Sequence, residues 1–217
     1  MKKLMTTLLF VLLYGTGLCF AEGGVTVSGT VTFENPYSPG QIAEGSASGT
    51  VKLLQNGSEI YTGNVTSEYN NSLGKSISSY TIENVETGTY TLQFLGDGYG
   101  KVLVYETASL EVSTEDVTHD FRATVDDTRG IMQISVQTGE WNGDYYANSR
   151  YLTGATVSCL PSGEGQQVLT ATAEGNYATV KFFVPSAEGT KYTITAQHES
   201  CYDTTFETAF SANIYLY

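Results

Sequence analysis

Past residue 24 the hydrophobic positions of this chain recur at every second residue. Val25, Val27, Val31 and Phe33 alternate with polar positions, and Gly29 fills the missing step. Val51 and Leu53, Tyr80 and Ile82, then Tyr90, Leu92 and Phe94 continue the pattern, followed by 101–105, Leu110 with Val112, and Val117, His119, Phe121, Ala123 and Val125. Between these runs lie turn clusters such as Asn35-Pro36-Tyr37-Ser38-Pro39-Gly40 and Gly96-Asp97-Gly98. Short alternating runs at this spacing predict β-strands with one apolar face, stacked as a sandwich or barrel. No stretch sustains the 3.6-residue period of a helix.

A polar turn, Asp126-Asp127-Thr128-Arg129-Gly130, separates this set from a second one. Met132, Ile134 and Val136 open it, and Ala155, Val157 and Cys159 follow. Then come Ala178, Val180, Phe182 and Val184, and Tyr192, Ile194 and Ala196; Phe206, Phe210, Ala212, Ile214 and Leu216 close it. The two sets echo one another. Gly49-Thr50-Val51-Lys52-Leu53-Leu54 answers Gly154-Ala155-Thr156-Val157-Ser158-Cys159-Leu160, and Gly88-Thr89-Tyr90-Thr91-Leu92-Gln93-Phe94 answers Gly189-Thr190-Lys191-Tyr192-Thr193-Ile194-Thr195. Each copy of the second motif is followed by a further tyrosine, Tyr99 and Tyr202. The expected fold class is all-β: two tandem small β-sandwich domains, 22–125 and 126–217.

Residues 1–21 carry the pattern of a cleaved signal peptide. Lys2 and Lys3 precede an apolar run over 4–13, and Cys19-Phe20-Ala21 places small residues at the −3 and −1 positions. The run is shorter than the ~20 residues that span a bilayer, which predicts no stable membrane insertion after cleavage. A secreted, periplasmic or cell-surface location follows. The remaining composition agrees with an all-β exported chain, with 23 Gly, 16 Tyr and only 15% charged residues in 217. The net charge of −13 repels phosphate backbones, so nucleic acid is not an expected partner.

Residues 25–123 resemble a carboxypeptidase regulatory-like domain, a small prealbumin-type β-sandwich. The resemblance runs through the opening strand over 25–33, Gly49-Thr50-Val51-Lys52-Leu53-Leu54, and Tyr80-Thr81-Ile82-Glu83-Asn84-Val85. Its strongest part is Glu86-Thr87-Gly88-Thr89-Tyr90-Thr91-Leu92-Gln93-Phe94, ending at Gly98-Tyr99. In that family a Gly-x-Tyr turn leads a buried strand, which implies that Tyr90, Leu92 and Phe94 face inward. The resemblance implies a structural or binding accessory and no catalysis. Related surface modules close a Lys–Asn bond between their first and last strands, but 25–33 and 130–137 contain no Lys.

Candidate chemistry is sparse. Once Cys19 leaves with the signal, Cys159 and Cys201 remain, and an even pair in an exported domain predicts a disulfide contributing about 4 kcal/mol. His119 is in phase with Val117 and Phe121, which predicts a structural role. His198, Glu199, Cys201 and Asp203 lack an accepted zinc spacing, and Asp97, Asp126 and Asp127 lack the regular oxygen ligands of a calcium loop, so neither metal nor other cofactor is expected. No nucleophile elbow, zinc-protease motif or P-loop occurs, and an enzyme is not expected. The aromatic run Trp141-Asn142-Gly143-Asp144-Tyr145-Tyr146, followed by Tyr151, is the candidate binding site, since exposed rings beside Asn and Asp can stack on sugars. Tyr61, Asn64, Tyr69, Asn70 and Asn71 are its weaker echo in a long loop of the first copy. The function read from the sequence is a non-catalytic exported module with a structural or adhesive role, its partner a protein or glycan at the cell surface. The alternatives are glycan binding around Trp141 and an eight-stranded outer-membrane β-barrel, suggested by the Tyr content and the aromatic end Ile214-Tyr215-Leu216-Tyr217.

Overall fold

A computed structural model describes residues 24–216 except 142, 145, 187, 188 and 209–211; at 141, 146 and 212–216 it describes the backbone alone. The expected signal peptide and Phe210 lie outside the described residues. Every described element is a strand. The first half holds β1 (Val25–Glu34), β2 (Ile42–Ala43), β3 (Ala47–Gln55), β4 (Ser58–Asn70), β5 (Lys75–Val85), β6 (Gly88–Gly98), β7 (Lys101–Glu106), β8 (Leu110–Val112), β9 (Val117–Thr118) and β10 (Phe121–Val125). The second holds β11 (Arg129–Trp141), β12 (Tyr146–Tyr151), β13 (Thr156–Pro161), β14 (Leu169–Thr172), β15 (Thr179–Pro185), β16 (Tyr192–Gln197), β17 (Thr204–Thr208) and β18 (Ala212–Leu216).

The alternating side chains of β1 explain how the first half is built. Val27, Val31 and Phe33 are fully buried, while the backbone serves two layers in turn. Its first part pairs with β5, with Val27 opposite Ile82 and Gly29 opposite Tyr80; its last part runs parallel to β10, with Val31 opposite Phe121. At the changeover a Cβ on Gly29 would overlap the His119 carbonyl, so only glycine admits the crossing chain. β4 does the same on the other side, pairing with β3 up to Val65 and with β5 from Thr66 to Asn70. Because two strands belong to both layers, β1, β5, β4, β3, β6, β7 and β10 close into a ring of seven. The expected two-layer sandwich is thus sealed along both sides, which leaves no open edge around the ring. Its interior is packed with Phe33, Leu53, Leu92, Phe94 and Phe121. This is not the eight-stranded membrane barrel weighed from the sequence, whose apolar side chains face outward.

The second half repeats the strand order. β11 pairs with β15 and then β12 along one edge and with β18, in parallel, along the other, as β1 does with β5, β2 and β10. The facing sheet runs β14-β13-β16-β17, matching β4-β3-β6-β7. The echoed motifs fall into the same register: Val51 faces Phe94 and Leu53 faces Leu92, while Val157 faces Ala196 and Cys159 faces Ile194. The difference lies in β14. It has 4 residues against 13 in β4, pairs only with β13, and reaches β15 through the single bridge Glu174 to Thr179. Among the described residues the second half therefore stays an open two-layer sandwich.

Each half has its own buried cluster, one ending at Ala123 and the other beginning at Met132. In both, a tyrosine pins the corner into the central strand. Tyr90 is buried and its hydroxyl donates to the Glu86 carbonyl at 3.1 Å; Tyr192 is buried and donates to the Pro185 carbonyl. Burial pushes both phenols above their ordinary pKa. Tyr90, Leu92 and Phe94 all face inward, as the Gly-x-Tyr pattern implies. Between the halves, the Asp126 N–H donates to the Val102 carbonyl at 2.9 Å. The Asp126 carboxylate accepts from Thr128 and Arg129, which hold it below the usual carboxylate range. Lys181 of β15 also pairs with Asp97 of β6 at 3.1 Å.

The Cys159–Cys201 disulfide expected from the sequence is absent, and both thiols are free. Cys159 sits level with Ile194 at mid-strand, whereas Cys201 lies in the connection beyond Gln197, which is level with Thr156. The three residues of strand from Cys159 to Thr156 span roughly 10 Å, and a bridge tolerates a Cα separation of only up to ~7 Å. Cys159 Sγ instead packs 3.9 Å from Met132 Sδ, and Cys201 Sγ lies 3.9 Å from Thr138 Oγ1.

Two outcomes are expected. Tyr90→Phe and Tyr192→Phe should each lower the unfolding free energy in urea by about 1 kcal/mol, and the losses should add because the two sites lie in separate clusters. Loss from only one substitution would mean that the corners are not equivalent. Burial raises the Cys159 thiol to about 11, leaving roughly a thousandth of it as thiolate at pH 8. Iodoacetamide should then label half-buried Cys201 in folded, unreduced protein and Cys159 only in denaturant; a chain that takes no label before reduction would restore the bridge.

Candidate functional site

The expected aromatic site falls on the β11–β12 hairpin. The backbones of Trp141 and Tyr146 face each other across it. Their side chains, and the whole of Asn142 and Tyr145, lie outside the described residues. Tyr151 is described: 44% exposed, its ring stands at 90° to that of Tyr177 with centroids 5.3 Å apart. Tyr177, 66% exposed, lies in the turn entering β15. Tyr177 falls outside the alternating run that begins at Ala178, so hydrophobic periodicity does not mark it. Its position in the Gly175-Asn176 turn was the available signal.

The echo assigned to the first half is not a loop. Tyr61, Asn64, Tyr69 and Asn70 lie along β4, where long alternation was not evident, and Asn71 begins the turn that follows. Tyr61 is a packing residue. Its ring meets Tyr90 edge-on at 5.9 Å, and its hydroxyl accepts the Glu86 N–H at 3.2 Å. The topological counterpart of the β11–β12 loop is instead the β1–β2 loop over 35–41, which the sequence presented only as a turn cluster.

That loop is held by its own hydrogen bonds. The Asn35 N–H donates to Gln41 O, the Ser38 N–H to Asn35 O, and the Gln41 N–H to Ser38 O. The Asn35 side chain accepts the Tyr37 N–H at 2.9 Å, and Glu34 Oε1 accepts the Gly40 N–H at 2.9 Å. Tyr37 is 72% exposed, and its hydroxyl donates to the Tyr99 carbonyl at 3.2 Å. Tyr99 and Gly100 form the two-residue turn between β6 and β7, at φ values of 51° and 74°. Positive φ at both central residues is the hairpin geometry that suits strand twist, with Tyr99 in a place that glycine or asparagine usually takes. Tyr99 is 43% exposed, and its ring is braced by Phe33 at 5.6 Å and Tyr37 at 6.4 Å.

The 35–41 loop borders, through Asn35, Pro36 and Pro39, a cleft of about 700 Å³ whose charged lining is Glu34, Lys101, Arg122 and Asp127. Its charges are matched in pairs, Arg122 to Glu34 at 2.9 Å and Lys101 to Asp127 at 3.5 Å. In the second half the β16–β17 connection carries Tyr202, 80% exposed, where the first half carries Tyr99.

The remaining candidates are occupied structurally. His119 is half-buried against Phe121 and Tyr105, its Nε2 lies 3.2 Å from the Tyr105 hydroxyl, and its carbonyl accepts from Tyr80 at 2.8 Å. Burial, and then the nearby Asp120 carboxylate, raise the Tyr80 phenol. His198 Nδ1 accepts the Ser200 N–H, and Asp203 accepts from the Gln197 amide. Among the described residues no group of three or more His, Cys, Asp or Glu stands close enough to hold a metal ion.

No protein-family model matches the chain, and a search of curated proteins returns no match. Several solved structures superpose on it loosely. The TIE protein of Bacillus anthracis is 14% identical with a TM-score of 0.29, over 88% of this chain and 33% of that one. A streptococcal ancillary pilin is 11% identical with a TM-score of 0.27, over 89% of this chain and 63% of the pilin. The shaft pilin SpaA of Lactobacillus rhamnosus GG is 12% identical with a TM-score of 0.29, over 88% of this chain and 96% of the pilin. The chain thus spans about a third of the first of these proteins and less than two thirds of the second. Superpositions this loose carry no inference about role.

Proposed function

We propose that this chain is a non-catalytic exported module with a structural or adhesive role at the cell surface, made of two tandem β-sandwich domains, about 22–125 and 126–217. The observation that carries the reading is the contrast between the two halves. Where β4 closes the first ring, β14 stops at Thr172, and among the described residues no further strand lies along the outer edges of β14 and β15. An open edge offers backbone donors and acceptors to an added strand, a common way for one protein to engage another. The separate buried clusters and the repeated strand order support the tandem division. The signal pattern supports export. The inward-facing Tyr90, Leu92 and Phe94 support the regulatory-like resemblance of the first domain.

A cell-based experiment tests both parts. In cells lacking the chain, restoring it should return attachment, and protease added to intact cells should remove it from the surface. Thr170→Lys with Thr172→Lys places charge on the open β14 strand, where both side chains are exposed. That variant should reach the surface at wild-type level yet recover about a tenth of the attachment or less, an affinity loss of roughly 1.4 kcal/mol. Full recovery would refute the edge, and a chain retained in the cytoplasm would refute the location.

A further inference from the structure

We infer that the first half carries a binding site for neutral glycans, formed by Tyr37 and Tyr99 and the cleft that the 35–41 loop borders. This goes beyond the structural role proposed above and does not depend on the aromatic hairpin at Trp141. Three observations point to it. The loop over 35–41 is closed by internal hydrogen bonds, so its exposed ring is presented without ordering at the moment of binding. The Tyr37 hydroxyl is tied to the Tyr99 carbonyl, so the ring of this exposed residue is held in one orientation. A tyrosine ring in that setting offers an apolar face to the C–H side of a pyranose.

The cleft supplies the polar half of recognition. Glu34, Arg122, Lys101 and Asp127 form two exposed ion pairs that sum to zero charge, offering hydroxyl groups donors and acceptors with no preference for a charged ligand. The chain's net charge of −13 disfavours acidic polysaccharides further. A proline-rich peptide would also stack on tyrosine, but it docks in an aromatic-lined apolar groove, whereas two ion pairs border this cleft.

Affinity electrophoresis of the mature chain through gels holding galactomannan, xylan, laminarin or starch, with polygalacturonate and a proline-rich peptide as competing probes, tests the assignment. At least one neutral polysaccharide should retard the chain, and salt at about 0.5 M should leave the retardation unchanged. Tyr37→Ala and Tyr99→Gly should each weaken it tenfold or more; glycine suits the positive φ of that turn. Tyr37→Phe, which keeps the ring but loses the tie to Tyr99, should bind more tightly than Tyr37→Ala, and Tyr151→Ala should bind like wild type. If Tyr37→Ala unfolds, Tyr37→Leu against Tyr37→Phe decides the same point. The inference is overturned if none of the four neutral polysaccharides retards the chain, if binding is confined to polygalacturonate or the peptide, if salt abolishes it, or if Tyr37→Ala binds normally. Surface location and attachment are read separately, so failure here is distinct from failure of the structural role.

Discussion

The closed half of this protein depends on one backbone crossing. At Gly29 the first strand leaves the layer of β5 for that of β10, and the chain at His119 passes directly against it. The crossing is secured from three sides. The His119 N–H donates to the Ser28 carbonyl at 2.8 Å, the Tyr80 hydroxyl donates to the His119 carbonyl, and Asp120 accepts both the N–H and the hydroxyl of Thr30. A side chain at position 29 would push β10 off β1. Phe121, which meets Tyr80, Phe94 and Tyr105 inside the ring, would move with it. Core packing and ring closure are therefore one event, fixed by the absence of a Cβ.

The second closure, at β4, has a different physical origin. It requires a strand long enough to outlast its first partner, and the 13 residues of β4 provide that. Its far half is mostly exposed on both faces, so hydrophobic burial does little to hold it. Polar contacts take over: Ser78 is buried and its hydroxyl exchanges hydrogen bonds with the Ala47 N–H and carbonyl, Ser67 donates to the Gly45 carbonyl, and Lys75 pairs with Glu44. These contacts tie the β4–β5 ribbon to the segment between β2 and β3. The second half replaces the ribbon with the turn around Tyr177, and among the described residues its rim stays open.

What could be read from the sequence follows from these two origins. Period-two burial was visible wherever one face is apolar, and β1, β3, β6, β10, β13, β15 and β16 lie on the runs that it marked. The register of the repeat was visible too, because Tyr90 and Tyr192 must both be buried with a carbonyl in reach. Lys191, which offsets the second motif by one residue, is absorbed before Tyr192 enters β16. The far half of β4 carries no hydrophobic period, because polar contacts hold it, and its sequence therefore looks like a loop. The cysteines were paired because count and compartment say nothing of where along a strand each residue sits. Tyr37 was passed over because its prolines and glycine mark a turn, whatever that turn presents.

The placement of the aromatic loops follows from strand direction alone. β1 runs parallel to β10, β10 is antiparallel to β7, and β7 is antiparallel to β6, so β1 and β6 point the same way. Their following turns must emerge at one end of the ring, which is why Tyr37 and Tyr99 meet although 62 residues separate them. The same strand order in the second half sends the loop after Trp141 and the connection bearing Tyr202 from the corresponding strands. A repeated strand order thus fixes where such loops emerge, while leaving their length and side chains free to differ. The turns of the two halves can differ without any change in the tyrosine corners that set their strands.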